Sequence, residues 1–134
     1  MIERIRINTR SRVECHELTR EVREKVKASG TTNGLCYLFV PHTTAAVTLN
    51  EHADPSVMKD ISRQLGKLVP EHNDYSHAEG NADAHIKASL MGSSAVVFIE
   101  GGELVLGTWQ GVFFCEFDGP RSRTVILKIA GDSA

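Results

Sequence analysis

Two stretches of this chain are apolar on both faces, and they constrain its fold more than any other feature. They are LCYLFV at 35–40 and QGVFFCEF at 110–117. Side chains alternate along a strand, so a strand with one wet face alternates polar and apolar residues. A run that is apolar throughout belongs in the middle of a sheet. The opening MIERIRIN puts Ile5 and Ile7 on one face and Arg4 and Arg6 on the other, which predicts a half-buried strand. AVVFIE and ELVLG flank Gly101-Gly102, a strong hairpin signal, and TVILKI closes the chain after the turn at Asp118–Arg121.

Helical periodicity appears in two places. From about Leu18 to Ala28, Leu18, Val22 and Val26 recur every four residues, and Gly30 supplies a stop. Asp54-Pro55 reads as a cap followed by proline at the first helical position, and Val57, Ile61, Leu65 and Leu68 give a stripe running to about Val69. A polar stretch, EHNDYSHAEGNADAH, follows Pro70 and carries three of the six histidines. It is long for an ordinary connector, and such loops are functional or disordered. The spacing of Ala84, Ala88 and Gly92 predicts a short, close-packed helix next. Strands that arrive as hairpins, with few helices, make the class α+β with mostly antiparallel sheet.

The 134 residues suit a single domain spanning 1–134, with a hydrophobic fraction of 41% and a formal charge of -2. That charge argues against a polybasic nucleic-acid arm. No apolar run approaches a membrane span, and the N-terminus has no apolar signal region, so the expected location is the cytoplasm, with no membrane or nucleic-acid partner. Cys15, Cys36 and Cys115 form no C-x-x-C pair. Cys36 and Cys115 lie in apolar runs and read as small core residues, while Cys15 is the more exposed in pattern.

Three clusters place polar residues where the pattern calls for apolar ones. Pro41-His42-Thr43-Thr44 leaves an apolar strand, and Asn50-Glu51-His52 follows after AAVTL. This is either an imidazole held on rigid backbone or a set of turn residues satisfying the main chain. His77 and His85 flank Glu79, Asn81 and Asp83. Folded back at Gly80-Asn81 the pair converges on one ion, with zinc suited to imidazole; left extended, it is a solvated loop. The third cluster is Gly107-Thr108-Trp109-Gln110-Gly111, leading to Glu116 and Asp118-Gly119-Pro120-Arg121. Trp109 offers a flat wall to a ring-shaped ligand or a subunit. Arg121 and Arg123 suit a phosphate clamp, or Arg121 pairs with a buried Glu116.

Together the three clusters resemble the YjbQ family (UPF0047), small proteins also described as secondary thiamine-phosphate synthases. The resemblance rests on VPHTTAAVTLNEHADP at 40–55, HAEGNADAHIKASLMGSS at 77–94 and LGTWQGVFFCEFDGPR at 106–121. It implies an α+β fold with a mostly antiparallel, β-sandwich-like core and two to three helices, assembled as a homotrimer with sites near subunit interfaces. It implies a polar pocket in which His42, His77 and His85 hold a divalent metal. Glu51, Asn50, Thr43 and Asp83 are the expected catalytic residues. Thr44, Asn81, Lys87, Trp109, Gln110, Glu116 and Arg121 are the expected substrate-binding residues. The implied activity joins a pyrimidine diphosphate to a thiazole phosphate with loss of pyrophosphate.

That chemistry asks for cations on the leaving oxygens and a flat wall for the pyrimidine, which Arg121, Lys87 and Trp109 could supply. Magnesium usually accompanies such phosphates, whereas histidine ligation favours zinc. Two other classes therefore stand beside the transferase. One is a zinc-dependent hydrolase with Glu51 as general base. The other is a non-catalytic trimer that binds a metal or small ligand.

Overall fold

A computed structural model describes residues 2–133 of the chain. Among these residues the strands are β1 (Ile2–Asn8), β2 (Glu14–Glu17), β3 (Gly34–Phe39), β4 (Ala45–Glu51), β5 (Ser94–Glu100), β6 (Glu103–Leu104), β7 (Gln110–Glu116) and β8 (Ser122–Gly131). The helices are α1 (Thr19–Ser29), α2 (Pro55–Leu68) and α3 (Ala82–Met91). A larger sheet runs β1-β8-β3-β5-β6 and a smaller one β2-β7-β4. Every pairing is antiparallel, so the fold is α+β with two sheets and three helices, as the strand runs predict.

The inner faces of the two sheets share one core. Ile5, Leu38 and Leu127 come from the larger sheet, Val47 and Phe114 from the smaller, and Val22 and Val26 of α1 pack into the same cluster. Gly30, with φ of 70°, ends α1 in the left-handed region that suits glycine. The outer face of the smaller sheet carries a second cluster: Phe113 and Cys115 of β7 pack with Met58 of α2 and with Ala84 and Ala88 of α3. β7 is thus buried on both sides, as its composition requires. Asp54 starts α2 by accepting the Ser56 amide at 2.9 Å, and Pro55 is its first residue.

β3 departs from expectation. It lies between β8 and β5, and Cys36 and Leu38 are fully buried, yet Tyr37 is 43% and Phe39 47% exposed. Val96 of β5 is paired with Tyr37, and Phe98 with Leu35, which extends the same apolar surface. The reason is one-sided coverage: α2 and α3 pack on the smaller sheet, while among the described residues the outer face of the larger sheet is left exposed at Tyr37, Phe39, Val96 and Phe98. The aromatic strand after Trp109 is β7, the most enclosed of the described strands.

Three local differences matter for the site. β2, with sequence ECHE, carries no apolar alternation, but it pairs with β7 along its whole length. The run ELVLG contributes only Glu103 and Leu104 to a strand. The polar stretch after Pro70 ends earlier than its composition suggests, because Asp83 and His85 are already inside α3. Gly101 and Gly102 both have positive φ, 59° and 79°, as their hairpin turn demands.

Candidate functional site

The chain leaves β3 through Val40-Pro41-His42-Thr43 and enters β4 at Ala45. Backbone bonds fix both sides of this exit: the Val40 amide donates to the Ser93 carbonyl at 2.8 Å, and the Phe117 amide to the Thr44 carbonyl at 3.1 Å. His42 Nε2 accepts the Thr124 amide at 3.0 Å. Acceptance requires a bare Nε2, so the neutral ring carries its proton on Nδ1. Burial, reinforced by the nearby Arg123 charge, holds His42 below the ordinary histidine range.

His42 lines a cleft of about 510 Å³ with Thr43, His85, Ser89, Gly92 and Ser93. Its polar side chains are imidazoles and hydroxyls, and no carboxylate is among its lining residues. His77 stands against His85 edge to face, with ring centroids 5.2 Å apart. The fold therefore sets the neighbouring His77 against His85, and places His85 in the same cleft as His42 from a distant part of the sequence.

The expected three-histidine metal site requires more than this. Among the described residues no group of three or more His, Cys, Asp or Glu side chains is placed to hold a metal ion. The donor chemistry agrees, since the Nε2 lone pair of His42 already serves the Thr124 amide. The single chain as arranged does not fit a metal on all three histidines.

Behind the cleft lies a closed network of buried charges. Glu116 is fully buried. Its Oε1 accepts from Arg123 Nε at 2.8 Å and from Thr9 Oγ1 at 2.8 Å. Its Oε2 accepts from Arg123 Nη2 and from the Asp118 amide. The same Arg123 Nη2 donates to Thr44 Oγ1 at 2.7 Å. Glu116 therefore pairs with Arg123 rather than with Arg121, and Arg123 is no phosphate clamp. Arg121 turns back onto Asp118, with Nη2 2.9 Å from its Oδ2.

A second buried carboxylate, Asp83, is held by Arg12 at 2.8 Å and 3.2 Å and by Lys87 at 3.0 Å. Burial alone would raise both carboxyl groups, but the bonds from Arg12 and Lys87 on Asp83, and from Arg123 and Thr9 on Glu116, leave each below its usual range. Thr44, Asp83, Lys87 and Glu116 are thus enclosed and bonded within the chain. Their polar atoms are engaged with Arg12, Thr9, Arg123 and one another. Asn81 donates to Asp118 Oδ2 at 2.8 Å, while its own Oδ1 is buried without a partner.

The other expected residues lie at the far end of β4. Ala45 and Glu51 are the two ends of the seven-residue strand β4, roughly 20 Å apart at about 3.3 Å per step. Glu51 Oε2 accepts the amides of Ala53 at 2.7 Å and Asp54 at 3.3 Å, bracing the turn into α2. Asn50 Oδ1 accepts the Glu51 amide, and Gln110 Oε1 the Gly107 amide. Trp109 is 63% exposed. One chain therefore does not bring Asn50, Glu51, Trp109 or Gln110 to the His42 cleft.

Sequence reasoning missed Ser89 and Ser93 in the cleft and Arg12 and Thr9 in the network. The missing cation for Asp83 was foreseeable, because a buried carboxylate demands one, but nothing local points from residue 83 to residue 12.

The three signature segments now have a common geometry: the first two form the cleft, and the third supplies Glu116 and Asp118 behind it. A family model described as UPF0047 protein YjbQ-like matches residues 3–132. The chain belongs to the YjbQ family. It is 47% identical to UPF0047 protein YugU of Bacillus subtilis, over 98% of this chain and 100% of that one. It is 37% identical to UPF0047 protein YjbQ of Salmonella typhimurium, over 87% of this chain and 88% of that one. Among solved structures, an uncharacterized conserved protein of the family from Clostridium acetobutylicum superposes with a TM-score of 0.93 at 49% identity, covering 96% of this chain and 99% of that one. A protein of unknown function from Sulfolobus solfataricus superposes with a TM-score of 0.94 at 35% identity, covering 98% and 97%.

Proposed function

We propose that the protein is an enzyme acting on small phosphorylated heterocycles, joining a pyrimidine diphosphate to a thiazole phosphate with release of pyrophosphate. The observation that carries this reading is the makeup of the His42 cleft. Imidazole and hydroxyl groups donate to phosphoryl oxygens, and a lining without carboxylates spares a phosphate the repulsion it would otherwise meet. His42, with its proton on Nδ1, and His85 are the residues for moving a proton or stabilising the departing oxyanion.

The reading includes assembly as a homotrimer. The exposed Tyr37, Phe39, Val96 and Phe98 support an apolar subunit contact, and the exposed Trp109 supports a contribution of the far end of β4 to a neighbour's cleft. Light scattering should give about three times 14.7 kDa; a value near one chain's mass removes the trimer.

The test is pyrophosphate release from the two phosphorylated heterocycles by native protein and by His42→Gln and His85→Gln. Each variant should lose roughly 10²- to 10⁴-fold in rate, the usual contribution of a positioned acid or base. Native-level release by both variants, or none by the native protein, overturns the reading.

The edge-to-face pair of His77 and His85 favours a second reading, a zinc-dependent hydrolase with a further ligand from outside this arrangement. Elemental analysis of untagged protein decides: stoichiometric zinc that is lost in His77→Ala supports the hydrolase, and metal-free protein that still releases pyrophosphate supports the transferase.

A further inference from the structure

The thiols of Cys15 and Cys115, one hundred positions apart in the chain, face each other across β2 and β7. The register pairs the two residues directly. The Leu18 amide donates to the Val112 carbonyl at 2.7 Å, which makes Leu18 and Val112 a hydrogen-bonded pair in this register. Alternation from there puts Cys15 and Cys115 at a non-hydrogen-bonded position, where opposed Cα atoms stand about 4.5 Å apart. That separation lies within the span a disulfide bridges, about 4.4–6.8 Å. The sulfurs are already in contact, Cys15 Sγ donating to Cys115 Sγ at 2.8 Å.

The two thiols differ in access. Cys115 is fully buried between β7 and the helices. Cys15 is half-buried and lines a groove of about 550 Å³ with Glu17, His52, Met58 and Phe113. The third thiol, Cys36, is fully buried in the other cluster, and burial pushes it up to about 11. Once Cys15 loses its proton, the Cys115 S–H donates to the thiolate, which lowers Cys15 and raises Cys115.

We infer that Cys15 and Cys115 form a reversible dithiol/disulfide site oxidised by a small hydroperoxide that enters through this groove. The Cys15 thiolate attacks one peroxide oxygen and the O–O bond breaks. With hydrogen peroxide the leaving hydroxide takes up the proton Cys15 released, giving water and a sulfenic acid on Cys15. Cys115 sulfur then attacks that sulfur, the S–O bond breaks, the S–S bond forms, and the Cys115 proton leaves in a second water. Two thiols are oxidised and one peroxide is reduced. The bond pins β2, a four-residue edge strand that carries His16 and Glu17, to the centre of the smaller sheet.

The experiment treats reduced full-length protein with one equivalent of hydrogen peroxide and maps its peptides without reductant. The expected product is a single chain lighter by two hydrogens, with the peptides of Cys15 and Cys115 joined, Cys36 still alkylatable, and full reversal by dithiothreitol. Cys115→Ala, folded as judged by its circular dichroism, should instead accumulate a Cys15 sulfenic acid that dimedone traps. Oxidation of Cys15 while Cys115 stays alkylatable in the native protein overturns the inference. So does a two-chain product linked through Cys15, or failure of both thiols to react. The native peptide map is decisive even if the variant does not fold.

Discussion

The two ends of the smaller sheet are built on opposite principles. At the end where β4 begins, the His42 cleft stands on buried charge pairs that distant residues tie in: Glu116 and Arg123 are joined by Thr9 and Thr44, and Asp83 and Lys87 by Arg12. At the end where β4 finishes, Glu51 and Gln110 serve backbone amides no more than three residues away, Glu51 those of Ala53 and Asp54 and Gln110 that of Gly107, and the long-range charge pair there, Glu17 with His52, is half-exposed. The first arrangement fixes a geometry at high desolvation cost, so losing one member leaves a bare charge in the core. The second is mostly local, hydrated and cheap to lose. Function that depends on placement within fractions of an ångström suits the first end.

The largest effect should come from breaking the first principle. Arg123→Met leaves Glu116 buried without its cation and should cost about 3–5 kcal/mol in chemical denaturation. Adding Glu116→Leu removes the stranded carboxylate, so the double variant should recover much of that loss, a coupling that direct neighbours show and distant residues do not. If the single and double variants are equally destabilised, the pair is not the organising feature of this end.

Acid should sharpen the same contrast. Asp83 and Glu116 titrate below the ordinary carboxylate range in the folded protein. The unfolded chain therefore binds more protons near pH 4, so the stability these groups contribute is full above about pH 4 and lost as pH falls through their folded values. His42 is held low as well, by burial and by Arg123, and the sign is the same. Its contribution is complete above the unfolded histidine value of about 6.5 and declines as pH drops below it. The melting midpoint should thus fall in two steps, a small one below about pH 6.5 and a larger one below about pH 4. His42→Gln should abolish the upper step alone; an unchanged upper step would assign it elsewhere. Glu17, also lowered through its bond with His52, is 41% exposed at the far end and should contribute little to the lower step.

This contrast also explains what was legible in the sequence. Ile5 and Ile7, Val22 and Val26, Asp54-Pro55 and Gly101-Gly102 each announce an element through a local rule, and each stands where the rule puts it. The cleft histidines were legible as well, because they interrupt apolar patterns. Their network was not. Arg12 meets Asp83, and Thr9 meets Glu116, only because β7 and α3 are brought past the segment after β1, a tertiary fact with no periodic signature. β2 escaped for a related reason. Glu14-Cys15-His16-Glu17 has the composition of a loop, and its pairing with β7 makes it a strand. Glu51 is a different case: its signature segment is continuous in sequence, but the seven-residue strand β4 holds the ends of that segment apart within one chain.

The smallest expected effect is at Glu51, and it tests the far end directly. Its Oε2 accepts two amides at the entry to α2, and the side chain is half-exposed. Glutamine keeps an acceptor oxygen in the same place, so Glu51→Gln retains the turn and loses only the charge. Bonds of this exposed, local kind contribute modestly, and surface changes usually fall within about 0.5 kcal/mol. The midpoint should therefore move by no more than a few degrees, far less than in Arg123→Met. Pyrophosphate release then separates two roles for this residue. A carboxylate that only braces α2 leaves the rate near native, whereas a general base delivered to a neighbouring subunit's cleft would cost roughly 10²- to 10⁴-fold at unchanged stability. The single-chain geometry favours the brace. A large loss of turnover with an intact fold would show that the two ends of the sheet meet between subunits, and that their separation within one chain is half of a composite site.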